Sequence, residues 1–189
     1  ATTVVIGDNI TKIGEKNFSN STNAYPNLQN VILSPTVKEI GWAAFYKVAT
    51  LKTINLESVE NIGTGAFGES GVEKVAFEQS NIIIGESAFG GCQALTEIKI
   101  KGNAVIGDSA FQKCRGLSTF SCEGTVSKVG SQAFYSCSKL SSYNALATVE
   151  IGGLAFSYCK ILKDFDFSGR SAVDRLPILF VFLKNSLSE

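Results

Sequence analysis

The sequence contains no histidine and no methionine, and only three of its 189 residues are proline. Without histidine, the chain cannot assemble a Ser-His-Asp triad or a Cys-His pair, and we predict that it is not an enzyme. It also lacks an excess of charge, because 17 basic residues balance 17 acidic ones. Since a nucleic-acid-binding surface needs basic residues to neutralise phosphates, we expect no nucleic-acid partner.

A long apolar run is missing as well. The longest is Leu176 to Leu183, which is interrupted by Pro177 and is far shorter than the roughly 18 residues of a membrane-spanning helix. We therefore expect no membrane insertion. The chain begins at Ala1 rather than at methionine, which is typical of a mature or trimmed N-terminus.

One short motif recurs along the chain: an aliphatic residue, a glycine, two variable residues, a small residue and a phenylalanine. Six of its copies have alanine before the phenylalanine. The spacings between successive motif glycines are 27, 22, 22, 22, 23 and 22 residues. A fixed period of this length predicts a solenoid in which stacked copies bury a continuous core. The seven glycines are Gly14, Gly41, Gly63, Gly85, Gly107, Gly130 and Gly152.

Each copy also contains a strand pattern and a turn pattern. After the turn, a leucine opens an alternation such as Leu95, Ile98 and Ile100, which is typical of a half-buried strand. The segment Ala-Phe-x-x-Cys-x-x-Leu has the apolar spacing of a short helical or 3-10 turn. The glycine before it is expected either to adopt positive φ or to lie tightly against its neighbour. We predict parallel strands in one sheet at Leu51–Leu56, Leu95–Ile100 and Leu162–Phe167.

The combined pattern of L-x-x-I-x-I, V-x-x-I-G and x-x-A-F-x-x-C closely resembles the BspA-like (Treponema-type) leucine-rich repeat family. The resemblance covers about Ile10 to Phe167, and its best single match is Leu28 to Phe45. It implies a leucine-rich repeat solenoid, α/β-type or mostly β, forming an arc of about seven repeats with a parallel sheet on the concave face. It also implies a secreted or cell-surface protein, of bacteria or of some protozoan parasites, that adheres to host proteins or to other cells.

The chain is accordingly expected to be one solenoid domain over residues 1–189, with repeats at about 10–167. Residues 168–189 form either a degenerate repeat or a C-terminal cap, because the motif decays after Phe167. The apolar segment Ile178–Leu183 either folds over the last rung or serves as an interface. In the second case it binds a second chain by self-association, or packs on further repeats.

The cysteines point to a core role. Four of them share one repeat position, and Cys122 occupies a core position on a strand. A line of sulfur atoms along a solenoid does not converge on a tetrahedral zinc ion. Parallel rungs about 4.8 Å apart also hold Cβ atoms farther apart than the mean of about 3.8 Å in a disulfide. We therefore predict reduced, buried thiols and no cofactor or metal. The four are Cys92, Cys114, Cys137 and Cys159.

The outward positions of the first strand of each repeat are the candidate partner-binding residues, because they vary while the core positions keep their type. We predict that this face binds a host or cell-surface protein with modest affinity, raised by multiple copies. The alternative is a structural spacer or stalk in a larger surface protein, and a third possibility is an accessory repeat region of an enzyme. The candidate residues are Thr53, Asn55, Lys74, Glu97, Lys99, Lys101, Thr119, Ser121, Ser142, Asn144, Asp164 and Asp166. The last two could also hold Ca²⁺, but two carboxylates on a strand are more often a solvated face.

Overall fold

The computed structural model describes residues 2–21 and 24–165. Over these ranges the chain forms thirteen strands and no helix, and each strand pairing is parallel. The predicted parallel solenoid is thus confirmed. The strands are β1 (Thr3–Val5), β2 (Lys12–Ile13), β3 (Asn30–Ile32), β4 (Glu39–Ile40), β5 (Thr53–Ile54), β6 (Asn61–Ile62), β7 (Lys74–Phe77), β8 (Asn81–Ile84), β9 (Glu97–Ile100), β10 (Asn103–Ile106), β11 (Thr119–Val129), β12 (Ser142–Ile151) and β13 (Asp164–Phe165).

Each rung contributes one strand to each of two faces. We call the first sheet the face formed by β1, β3, β5, β7, β9, the N-terminal parts of β11 and β12, and β13. The second sheet contains β2, β4, β6, β8, β10 and the C-terminal parts of β11 and β12. The last two long strands run from one face into the other through a register shift between Cys122 and Thr125.

The first sheet is interrupted in the middle. Strands β1, β3 and β5 form a separate three-stranded ladder, and β5 is not paired with β7. The contact across the gap includes a bond from the Glu73 N–H to the Lys52 carbonyl at 3.3 Å. The repeat is one residue shorter here, so the two strands do not keep register. The prediction that Leu51–Leu56 lies in one hydrogen-bonded sheet with the later strands was therefore wrong.

The segment from motif glycine to cysteine forms the third side, which we call the turn side. It is a series of overlapping β-turns, so the prediction of a short helix or 3-10 turn was wrong. In one rung, the Gly90 N–H donates to the Ser87 carbonyl oxygen at 2.9 Å, within the same turn. The Phe89 N–H instead donates to the Ala110 carbonyl oxygen of the next rung at 2.8 Å. Because alternate N–H groups point along the solenoid, the segment cannot close the continuous i→i−4 ladder of a helix.

Six of the seven motif glycines, all but Gly14, lie tightly against the neighbouring rung. In the described part of the chain, positive φ among glycines is confined to Gly65 and Gly91, which are not motif glycines. A Cβ atom on Gly63 would lie 2.9 Å from the backbone of Gly41, and one on Gly85 would lie 2.8 Å from the Ile62 carbonyl oxygen. Of the two reasons predicted for glycine at the motif position, positive φ and close packing against a neighbour, close packing is therefore correct.

A column of phenylalanine rings runs along the centre of the core. Successive rings stack with centroids 5.0–5.4 Å apart and planes within 20° of parallel. Such pairs contribute about 0.5–1.5 kcal/mol each beyond the burial of their surface. The column consists of Phe18, Phe45, Phe67, Phe89, Phe111, Phe134 and Phe156. Among the described residues, no helix has the length and apolarity needed to cross a membrane.

Candidate functional site

The outward side chains of the first sheet form two columns, as predicted. One column aligns the side chains of Lys74, Glu97, Thr119 and Ser142, and the backbone of Asp164 is in register with Ser142. The other aligns Ala76, Lys99, Ser121 and Asn144. The regular spacing of parallel rungs brings residues about 22 positions apart in the sequence into direct contact. Eight predicted residues thus share one face, the backbone of Asp164 included.

The charged part of this face is a cluster of ion pairs. Glu97 lies between two ammonium groups, 3.7 Å from Lys74 Nζ and 3.0 Å from Lys99 Nζ. Lys101, directly after β9, pairs with Glu78 at 3.1 Å. The side chains of Lys74 and Lys99 are 72% and 62% exposed, so these pairs add little stability. One carboxylate between two ammonium groups leaves local positive charge available to a partner.

The polar part of the face follows along the same strands. Thr119, Ser121 and Ser142 are half-buried, and Asn144 is exposed. The Ser121 hydroxyl donates to the Ile98 carbonyl oxygen of the preceding rung at 3.4 Å. These short side chains present hydroxyl and amide groups beside the lysine cluster.

Two other predicted residues lie at the separate ladder, Thr53 within β5 and Asn55 directly after it. The Thr53 hydroxyl is exposed and donates to Asn30 Oδ1 at 2.7 Å. Asn55 is half-buried, and its amide group bonds both the N–H and the carbonyl of Leu33, at 2.7 and 3.0 Å. Asn55 therefore positions the backbone of the preceding rung. Asp166 lies outside the described residues, as does the segment Ile178–Leu183.

The turn side carries aromatic residues that the sequence patterns did not single out. Trp42 is 46% exposed, and the Lys16 Nζ atom lies 4.1 Å from its ring centroid. The Tyr46 hydroxyl bonds Glu69 at 3.0 Å. Tyrosine and tryptophan are preferred anchors at interfaces. Trp42 directly follows the motif glycine of its repeat, and Tyr46 directly follows the motif phenylalanine. An alignment of the repeats could therefore have located both residues.

The cysteine column is buried, as predicted. The thiols of Cys114, Cys137 and Cys159 each donate to a phenylalanine carbonyl of the preceding rung, at 3.0–3.1 Å. Burial raises the pKa of Cys159 to about 12 and that of Cys122 to about 11. These thiols are therefore protonated at neutral pH. Within the described ranges, no group of three or more histidine, cysteine or acidic residues is arranged to hold a metal ion.

Comparison with known proteins assigns the repeats. A model described as the BspA type leucine rich repeat region matches residues 1–104 and 60–173, in six copies. The chain belongs to the BspA-type leucine-rich repeat family. The family model thus counts one copy fewer than the seven motifs in the sequence.

Two solved structures resemble this BspA-type chain. One is a leucine rich cell surface protein from Faecalibacterium prausnitzii A2-165, at 21% identity and a TM-score of 0.48. The match covers 88% of this chain and 36% of that one. The other is a leucine-rich repeat protein from Bacteroides ovatus ATCC 8483, at 18% identity and a TM-score of 0.33. That match covers 86% of this chain and 59% of the other. The chain thus spans less than two thirds of either protein. Among curated proteins, no significant match is found.

Proposed function

We propose that this BspA-type chain is a surface-exposed or secreted binding module that adheres to a host or cell-surface protein through the first sheet. It acts as a scaffold and not as an enzyme. The observation that carries the proposal is the face formed by β7, β9, β11 and β12, where two outward columns differ from rung to rung in charge and size. Beneath them, the inward residues are all buried, in one column from Val75 to Tyr143 and in the other from Phe77 to Ala145.

The rigidity of this face favours binding. Its four strands are joined to one another by parallel ladders, so a partner meets side chains that are already positioned, and the entropy lost on association is reduced. The exposed ammonium groups of Lys74 and Lys99 favour an acidic patch on the partner. The hydroxyl rows around Thr119 and Ser142 supply hydrogen bonds along the same columns.

The affinity of a single contact is expected to be modest. Among the described outward positions of the first sheet there is no aromatic residue, and aromatic anchors dominate strong protein interfaces. Adhesion through such a face gains strength when several copies act together, because the second contact then forms at a high effective concentration.

Surface plasmon resonance of the chain against purified fibronectin, laminin and fibrinogen tests the proposal. The double variant Lys74→Glu/Lys99→Glu reverses the charge of the lysine cluster and is expected to abolish binding. Lys128→Glu places one such charge reversal on an exposed position of the second sheet and is expected to leave binding unchanged. Equal loss in both variants, or no binding to any of these proteins, favours the spacer or stalk alternative.

A further inference from the structure

An open groove of about 640 Å³ crosses the turn side, separate from the first sheet. Tyr46 and Glu69 form one wall, and Gln112 and Lys113 form the other, two to three rungs later in the stack. We propose that this groove binds a neutral oligosaccharide. The proposal is independent of protein binding by the first sheet, since it uses a different side of the solenoid and different residues.

The groove exists because glycine occupies positions on the turn side where the fold would also accept a residue with a side chain. Gly65 has a φ of 59°, but Ala43, Ser87 and Ser109 occupy the equivalent position of other rungs with φ of 50°, 52° and 55°. A Cβ atom on Gly65 would meet no atom within 4 Å. The backbone therefore does not require glycine here, and its presence opens the surface between the two walls.

The floor of the groove cannot bind a peptide by strand addition. The N–H groups of Gly65, Glu69 and Gly91 donate to the next rung, at 2.8 Å in each case. Those of Gly68 and Gly90 donate within their own turns, at 3.0 and 2.9 Å. An added strand needs unpaired backbone donors, and these five are already used. Recognition in the groove therefore depends on side chains.

One wall combines an aromatic ring with a carboxylate. The Tyr46 ring lies close against the floor because Gly68 has no side chain: a Cβ atom there would be 3.0 Å from Tyr46 Cδ2. The Tyr46 hydroxyl donates to one oxygen of Glu69 at 3.0 Å, which links the two side chains. A carboxylate accepts several hydrogen bonds, so Glu69 can accept further bonds from a ligand.

The opposite wall is polar, and its Lys113 balances the charge of Glu69 among the lining residues. The side-chain amide N–H of Gln112 donates to Gln132 Oε1 at 2.8 Å, and this bond orients the amide oxygen of Gln112 as an acceptor. Lys113 supplies an ammonium group. The groove thus offers one aromatic ring, one carboxylate, one ammonium group and amides.

This combination fits a sugar better than a protein side chain. A pyranose has C–H groups that pack on an aromatic ring, and hydroxyl groups that both donate and accept hydrogen bonds. Apart from the Tyr46 ring, the lining residues are glycine or polar, so the groove lacks the apolar pocket in which a protein anchor is buried.

NMR titration of the ¹⁵N-labelled chain with maltotriose, cellotriose, mannotriose and triacetylchitotriose tests the proposal. At least one of these trisaccharides is expected to shift the amide signals of Gly65, Gly90 and Gly91 saturably. No shift with any of them overturns the proposal.

Variants then locate the site. Gly65→Gln fills the groove with a residue that already occupies the equivalent position at Gln132, with φ of 57°, and is expected to abolish the shifts. Ser109→Gln makes the same side chain at the same repeat position outside the groove and is expected to leave them intact.

A second variant does not alter a backbone of positive φ. Tyr46→Ala removes the ring and is expected to weaken binding about tenfold or more. Shifts that persist in both Gly65→Gln and Tyr46→Ala overturn the proposal. Lys74→Glu/Lys99→Glu, which tests the first sheet, is expected to leave saccharide binding unchanged, so the two proposals can fail separately.

Discussion

The Sγ atom of Cys137 donates a hydrogen bond to the backbone carbonyl oxygen of Phe111, 3.1 Å away in the preceding rung. The same oxygen accepts the Cys114 N–H of its own turn at 3.1 Å. Each thiol in the column thus links two rungs at the corner where the turn side meets the core. Ser70 fills this position in an earlier rung while remaining buried, with its hydroxyl 3.5 Å from Cys92 Sγ.

The thiols are expected to react slowly in the native protein. The thiolate is the nucleophile, and burial both blocks access and raises the pKa of Cys114, Cys137 and Cys159. Alkylation with iodoacetamide at pH 8, followed by mass spectrometry, is expected to label all five thiols when the protein is unfolded in urea. In the native protein, none of the four thiols of the column is expected to be labelled rapidly. Rapid native labelling of Cys92, Cys114, Cys137 and Cys159, or zinc found by elemental analysis, would contradict a core role.

Stability is expected to fall at alkaline pH, in part because of Cys159. Its pKa rises from 9.0 in the unfolded chain to about 12 in the fold, through burial. The stabilisation is therefore complete below pH 9 and is lost progressively as the pH rises towards 12. At pH 10.5 this thiol is expected to have lowered the free energy of unfolding by about 2 kcal/mol relative to neutral pH. Urea unfolding at pH 7.5 and 10.5 measures it, with Cys159→Val as the control.

Cys159→Val resembles the chain's own Val48, which occupies the same repeat position and is fully buried. This variant is expected to lose less stability between the two pH values than the parent chain. An equal loss in both proteins would show that Cys159 does not keep its proton in the fold.

The phenylalanine column is expected to be the most sensitive part of the core. Phe111 is fully buried and stacks on Phe89 and Phe134 at 5.4 and 5.1 Å. Phe111→Ala leaves a cavity between rungs and is expected to cost about 3–5 kcal/mol of unfolding free energy. Phe111→Leu keeps most of the volume and is expected to cost less. A thermal midpoint unchanged by the alanine variant would contradict the stacked core.

The sequence could predict this core because each rung repeats the same residue types, so that one periodic pattern reports the whole column. It could not predict the turns. Ala43 and Ser87 adopt positive φ without being glycine, so residue type gave no signal of the β-turns. The break between β5 and β7 depends on the register of neighbouring rungs. The turn-side groove depends on which side chains are absent in adjacent rungs, such as at Gly65 and Gly90.

The motif glycines are expected to tolerate alanine poorly. A Cβ atom on Gly85 would lie 2.8 Å from the Ile62 carbonyl oxygen. Because that oxygen belongs to packed backbone and the backbone of Gly85 fixes the Cβ position, the two rungs must separate. Gly153→Ala is the matched control, since its Cβ atom would meet nothing within 4 Å. We expect Gly85→Ala to lower the thermal midpoint clearly and Gly153→Ala to change stability by less than about 1 kcal/mol. Equal midpoints for the two variants would contradict the close approach.

Asn55 was predicted to bind a partner, but its contacts with Leu33 indicate a structural role, and a substitution can distinguish the two. Its amide bonds both backbone groups of Leu33, so Asn55→Ala is expected to cost about 1–3 kcal/mol of unfolding free energy by leaving them unpaired. Thr53→Ala, two residues earlier, removes an exposed hydroxyl and is expected to change stability by less than about 0.5 kcal/mol. Urea unfolding of both variants distinguishes the roles. If Asn55→Ala is as stable as Thr53→Ala and only weakens adhesion to matrix proteins, then Asn55 is a contact residue, and its bonds to Leu33 contribute nothing to the rung.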